Sequence, residues 1–325
     1  MKAVIIGGSG HYAFALQAAA LRGDLTLCAA APGSAKEDIS GVMTAAAAQG
    51  LPLRYYDDYR TMLDRESADL AVVNPWFCDT AEVSTACLGR GLHVFSEKPL
   101  ATTLGKLDEL TEAWRSSGRA LDGMFNLRCC GWFNTVRKAV DDGLIGEVRQ
   151  LQGRKSYRMG QRGEVYRKRE TFGGIIPWVG IHALDWVLQL GGKCEWVIGT
   201  QDAHENRGHG EMDVTSAVML KMENGVIGTV TADFFRPDGS LRHDDDRLRV
   251  TGTKGTLYAY DGRVFIEDGQ NRRELPLIGE RNCLLDMLDA LGTPASERRA
   301  LDALEVTRVA LMARDSEAEG KVLYL

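Results

Sequence analysis

The sequence predicts an α/β plus α+β protein: a doubly wound parallel sheet first, then a region built on an open, mostly antiparallel sheet. Three observations carry that prediction. The short apolar run Lys2–Gly7 is followed at once by a glycine-rich turn. Short apolar runs then alternate with helical patterns as far as about residue 122, the rhythm of parallel βαβ units. Beyond that point strand patterns follow one another across hairpin-type turns.

The elements read in order. KAVIIG is a buried strand and AFALQAAALRG a helix stopped by Gly23. LTLCAA, LRYY, LAVVNP, HVFSEKP and ALDGMF supply five further strands. Between them lie the Ala-rich stretch ending at Gly50, YRTMLDRES, TAEVSTACLGRG and the amphipathic LGKLDELTEAWRSSG, all helical. After Asn126 the pattern changes. FNTVRKAVDDG is a helix, VRQLQGRKSYR is extended and IHALDWVLQLGG is a helix. VTSAVMLKM, GVIGTVTADFF, DRLRVTG, GTLYAYD and RVFIED are consecutive strands, with turns at Glu223-Asn224-Gly225 and Asp261-Gly262. LLDMLDALG and RALDALEVTRVALMARDSEAEG are closing helices. The division falls at residues 1–122 and 123–325, with the closing helices packing back on the first domain.

Composition narrows the class of function. With 325 residues, 44% of them hydrophobic and 26% charged, the chain has material for two cores and no signature of disorder. Thirty-nine Lys and Arg against 45 Asp and Glu give a net charge of −6, which argues against a nucleic-acid face. No apolar run approaches the ~18 residues of a membrane span, and Gly breaks the N-terminal run too early for a secretory signal. The 7 Cys are scattered, form no CxxC and have no His at zinc spacing. They read as reduced thiols in a cytoplasm, and no metal site is expected.

The turn after the first strand carries chemistry. Gly8, Gly10 and Ala13 stand as GxGxxA between a strand and a helix. The glycines allow a tight turn and close approach of a pyrophosphate, and Ala is small enough for helix–strand packing. Helix N-terminal amides at Ser9, His11 and Tyr12 then face the phosphates. At the end of the second strand Ala30 and Ala31 stand where a ribose-binding carboxylate is expected. Ser34 and Lys36 follow, donors suited to a 2′-phosphate, so the cofactor is NAD or NADP with a lean to NADP.

Further motifs fall in a specific order: NPWFCDTAEV after the fourth strand, SEKPL at Ser96–Leu100, FNLR at Phe125–Arg128, GLIGEV at Gly143–Val148, GGIIPWVGIHALDW at Gly173–Trp186 and GTKGTL at Gly252–Leu257. With the glycine turn they resemble, over essentially the whole chain, the Gfo/Idh/MocA family of NAD(P)-dependent sugar and polyol oxidoreductases, whose first domain is a Rossmann fold. The resemblance implies that Asn74, Pro75, Glu97 and Lys98 line the cofactor site and that Pro99 follows a cis bond. It implies that Lys98 orients the reacting hydroxyl and that His182 takes its proton, a role suited to imidazole near neutral pH. Asp185, at i+3 from His182, shares its helix face and is placed to orient the ring. Asn126 and Arg128 line the cleft, as in relatives.

One departure stands out. The family's D-x-G-x-H pattern has Trp178 where the Asp belongs. An indole nitrogen only donates, so Trp178 can stack on a sugar or close the pocket but cannot accept a hydroxyl's hydrogen bond. The basic segment KSYRMGQRGEVYRKRETFGG reads either as a solvated face or as a loop selecting an anionic sugar acid, with Tyr157 and Tyr166 as stacking faces. RHDDDRLRV around His243 reads as an Asp-rich turn, because consecutive strand residues cannot converge on a metal. The expected protein is a cytoplasmic homodimer or homotetramer acting on a small carbohydrate-type substrate, without nucleic-acid or membrane partners. Two alternatives stay open: a cofactor-binding regulatory protein without turnover, and a glycosidase-like enzyme using transient oxidation by bound NAD.

Overall fold

The computed structural model describes residues 1–269 and 271–325. Two compact units divide the chain: Met1–Met124 with Asn282–Thr307, and Phe125–Arg281 with Arg308–Leu325.

In the first unit β1 (Lys2–Ile6), β2 (Thr26–Ala31), β3 (Arg54–Tyr55), β4 (Leu70–Val73), β5 (His93–Ser96) and β6 (Leu121–Gly123) form one sheet. Its order is β3-β2-β1-β4-β5-β6 and every pairing is parallel. The run Ala3–Ile6 and all of β4 are wholly buried, which is why they appear in the sequence as unbroken apolar runs rather than alternations. Strand order reverses between β1 and β4, so the loops after these two strands lie where a doubly wound sheet binds ligands. The C-terminal segment is fastened to this unit by polar contacts. Asn282 caps the helix Cys283–Ala290 and donates through Nδ2 to the Phe14 carbonyl at 3.0 Å. Arg299 meets the buried Asp122 at 2.6 Å.

The second unit holds β7 (Val148–Arg158), β8 (Cys194–Asp202), β9 (Thr215–Met222), β10 (Ile227–Arg236), β11 (Arg247–Gly252), β12 (Thr256–Tyr260), β13 (Arg263–Asp268), β14 (Asn271–Leu275) and β15 (Leu323–Tyr324). They pair in the order β14-β13-β12-β11-β7-β10-β9-β8-β15, antiparallel except for β7 with β10. Three of these strands were not expected. β8 alternates imperfectly because a bulge falls between Cys194 and Trp196. β14, NRREL, is exposed except at Leu275, and β15 is a two-residue pairing with β8.

The helix Ile181–Gly191 lies on this sheet. A Cβ on Gly153 of β7 would sit 3.0 Å from the Ala183 Cβ, so glycine there lets the helix approach closely. Residues 181–188 and Gly191 are all buried, so the helix is enclosed on every side, with His182 and Asp185 its buried polar residues. The stretch Arg169–Gly191 is in fact long and apolar enough to cross a membrane by length and composition, contrary to the sequence expectation; 94% of its apolar window is buried in the protein, as befits a core helix.

Candidate active site

In the first unit the backbone turns left-handed at Gly7 and Gly10, with φ of 88° and 67°. The tight turn assigned to Gly8 is therefore made at Gly7, where a Cβ would lie 2.2 Å from the Asn74 carbonyl oxygen. Ser9 N–H donates to that same carbonyl at 2.8 Å, and Asn74 Nδ2 donates back to the Ser9 carbonyl at 2.9 Å. The turn is thus laced to the end of β4. Pro75 packs on the loop after β2, its Cβ 2.7 Å from where a Cβ on Gly33 would stand.

The helix Ala13–Leu21 starts behind the turn with Tyr12 at its N-cap and no side-chain cap. The Ser9 and His11 amides, expected to face phosphates, are instead given to the Asn74 carbonyl and to Glu97, which leaves the Tyr12 and Ala13 amides for an anion. Asn74 Oδ1 is buried and accepts no hydrogen bond among the described residues. An uncapped helix N-terminus beside a spare buried acceptor, at the switch point of a parallel sheet, fits a nicotinamide dinucleotide.

Two carboxylates complete this edge. Glu97 is wholly buried and accepts the His11 N–H at 2.7 Å, the Lys98 N–H at 3.1 Å and Asn74 Nδ2 at 3.4 Å. The His11 ring Nδ1 is 3.0 Å away and Lys98 Nζ 4.0 Å. Burial alone would raise the Glu97 carboxyl, but His11 and Lys98 beside it hold it below the ordinary value. Lys98 itself is 2% exposed and precedes a cis bond to Pro99.

Glu37 was not singled out from the sequence. Its Oε1 accepts from Gly8 N–H at 3.0 Å and Ser9 Oγ at 3.2 Å, its Oε2 from Gly33 N–H at 2.9 Å and Ser34 N–H at 3.1 Å. Burial pushes this carboxyl up, with the four donors opposing. Ser34 Oγ accepts from Trp76 N–H at 2.9 Å, and Lys36 adopts a left-handed backbone with φ of 63°.

The second unit carries the other group of site residues. A π-helical turn, Ile176–Gly180, leads into the helix bearing His182, which is 2% exposed. Such turns are rare and concentrate at functional sites. Trp178 sits within it, 8% exposed, with the Tyr166 ring 6.3 Å away at 64°. Asp185 is gripped by Arg128, whose Nε and Nη2 meet the carboxylate at 2.6–2.9 Å. The guanidinium also lies 4.6 Å over the Phe125 ring. Asn126 is half-buried, and its Oδ1 accepts no hydrogen bond among the described residues.

Tyr157 on β7 stacks on His243 at 4.7 Å. Beside it Lys155, 1% exposed, pairs with Asp246 at 2.5 Å and lies 4.9 Å over the Tyr157 ring. Burial alone would lower Lys155, but Tyr157 and Asp246 hold it above the ordinary lysine value. The acids near His243 thus face cations, with Asp245 meeting Arg247 at 2.9 Å and Arg154 at 3.5 Å. Much of the basic segment is spent in the same way: Arg167 on Glu164, Arg169 on the buried Asp213, and Arg158 and Arg162 on carbonyls.

Residues 1–122 match an oxidoreductase family with an NAD-binding Rossmann fold, and residues 133–258 match the GFO/IDH/MocA C-terminal domain. The chain is 28% identical over 231 residues to the myo-inositol 2-dehydrogenase of Thermotoga maritima, covering 67% of this chain and 65% of that protein. It is 29% identical over 196 residues to the dTDP-3,4-didehydro-2,6-dideoxy-alpha-D-glucose 3-reductase of Streptomyces antibioticus, covering 59% of each. Both matches thus span less than two thirds of the relative's length. A solved structure from Thermotoga maritima, described provisionally as an oxidoreductase, superposes over 100% of both chains with a TM-score of 0.95 and 34% identity.

Proposed function

The chain belongs to the Gfo/Idh/MocA oxidoreductase family, and we propose from that premise that it transfers hydride between a nicotinamide cofactor and a hydroxyl-bearing carbon of a sugar or polyol. The observation that carries this reading is the burial of two titratable groups, Lys98 and His182, each 2% exposed. Burying such groups is costly, and proteins keep them mainly where they do chemistry or form structural pairs.

When bound, the cofactor supplies the hydride acceptor or donor. Tyr12 and the helix behind it would hold its phosphates, and Asn74, Pro75 and Glu97 would border it. Lys98 donates a hydrogen bond to the reacting hydroxyl. His182 takes the hydroxyl proton, so that the freed oxygen electron pair forms the carbonyl as hydride leaves the carbinol carbon. Asp185, locked by Arg128, fixes the helix from which His182 projects. Trp178 offers a ring face to a sugar and Asn126 an acceptor, whereas Tyr157, expected as a stacking face, already carries His243 and Lys155 on its ring.

Because Trp178 cannot accept a hydroxyl's hydrogen bond, the substrate is held on that side by ring stacking or by donation from the indole N–H rather than by a carboxylate. Lys155, Arg167 and Arg169, half of the basic segment's cations, are met by carboxylates, which leaves less charge for a sugar acid and favours a neutral sugar. Seven free cysteines support a cytoplasmic setting. The partly exposed sheet face bearing Arg247, Arg249, Tyr258 and Tyr260 is our candidate surface for self-association. A regulatory protein without turnover is the second reading, favoured by Trp178 alone.

Reduced-nicotinamide absorbance across a panel of sugars, anhydro and deoxy sugars, sugar acids and polyols tests the proposal. Turnover on a neutral member is the expected result. Tight cofactor binding with no turnover on any member would favour the regulatory reading.

A further inference from the structure

We infer that Glu37 makes this chain select NAD over NADP, an inference that rests on the cofactor reading above. β2 ends at Ala31 with no carboxylate in its last residues. The loop beyond brings Glu37 back across the site, and the side chain is bonded to two places at once. One oxygen takes Gly8 N–H and Ser9 Oγ of the turn after β1; the other takes Gly33 and Ser34 N–H after β2. In a doubly wound sheet the first place holds the cofactor's phosphates and the second its adenosine ribose.

Each oxygen is faced by two donors. Three of those donors are backbone N–H groups that cannot accept, so the arrangement favours the ionised carboxylate against the burial that opposes it. A ribose 2′-hydroxyl is itself a donor and can share a carboxylate. A 2′-phosphate brings close to two negative charges against it and finds three backbone donors already engaged.

The residues that favoured NADP are poorly placed to offset this. Ser34 gives its N–H to Glu37, and its hydroxyl, 8% exposed with the residue, already accepts from Trp76. Lys36 is the one cation between Pro32 and Ile39, against two carboxylates, Glu37 and Asp38.

Calorimetric titration of the full chain with NAD and with NADP, repeated on Glu37→Gln and Glu37→Ala, tests the inference without relying on turnover. The wild-type chain should bind NAD tighter by roughly tenfold or more, and both variants should narrow that ratio by about tenfold through gained NADP affinity. The wild-type ratio needs no variant, so it decides the matter even if a variant fails to fold. Equal or tighter NADP binding by the wild type, or an unchanged ratio in folded variants, would overturn the inference. If neither nucleotide binds the wild type, the cofactor reading itself falls, and this inference with it.

Discussion

Lys98, His182 and Glu97 are the side chains on which the account depends most closely. Replacing His182 with Ala should lower kcat by about 10²–10⁴, the range for losing a positioned acid–base group, while the dissociation constant of the cofactor stays unchanged; steady-state kinetics with nucleotide titration reads both. Lys98→Met should lower kcat comparably. The Glu97 carboxyl sits below its ordinary value of 4.5. Its ionised form therefore adds stability that is complete above pH 4.5 and is lost as pH falls through the depressed folded value. Glu97→Gln should lower stability at neutral pH and flatten the acid limb of a stability–pH curve measured by denaturant melts. The Arg128–Asp185 pair is buried and bidentate, so Asp185→Ala should cost about 3–5 kcal/mol by leaving a buried guanidinium uncompensated. The double variant with Arg128→Met should recover most of that loss. The left-handed turn at Gly10, the cis bond after Lys98 and the helix carrying His182 were legible because each stands in a local motif beside a predicted element. Glu37 was not, since its four donors come from two separated segments, Gly8 lying 29 residues away. The spacing placed Asp185 on the face of His182, but nothing local pointed to Arg128, 57 residues earlier.

At the level of elements, the parallel strands were readable because burial on both faces leaves unbroken apolar runs. β14 escaped because an edge strand of Asn, Arg, Arg and Glu carries no apolar alternation, and it pairs only because β13 offers a free edge. β15 consists of two residues and is defined by its partner alone. The turn glycine was misplaced by one position, for GxGxxA names Gly8 while the left-handed backbone falls at Gly7. The site's second helix depends on a glycine that no motif marks. Gly153→Val should push the helix Ile181–Gly191 off β7 and cost about 1–3 kcal/mol, the usual penalty of overpacking; thermal melts read this directly. His182 kinetics should suffer with it, because the helix carries that residue.

For the molecule as a whole, a net charge of −6 argued against a nucleic-acid face but concealed how charge is used. Half of the basic segment's cations, Lys155, Arg167 and Arg169, are paired with carboxylates of their own unit, and the carboxylates near His243 meet cations in the same way. The return of Asn282–Thr307 to the first unit rests on contacts such as Arg299–Asp122, 177 residues apart in sequence, which no local pattern encodes. The central claim is hydride transfer from a carbinol carbon, and one measurement meets it directly. The first active sugar from the panel, deuterated at the carbon to be oxidised, is incubated with the chain and oxidised cofactor, and the reduced cofactor is weighed by mass spectrometry. The account predicts one deuterium in the reduced nicotinamide, a slowed rate relative to the protiated sugar, and loss of both product and label in the His182→Ala chain. Reduced cofactor free of deuterium, or label transfer undiminished without His182, would contradict it.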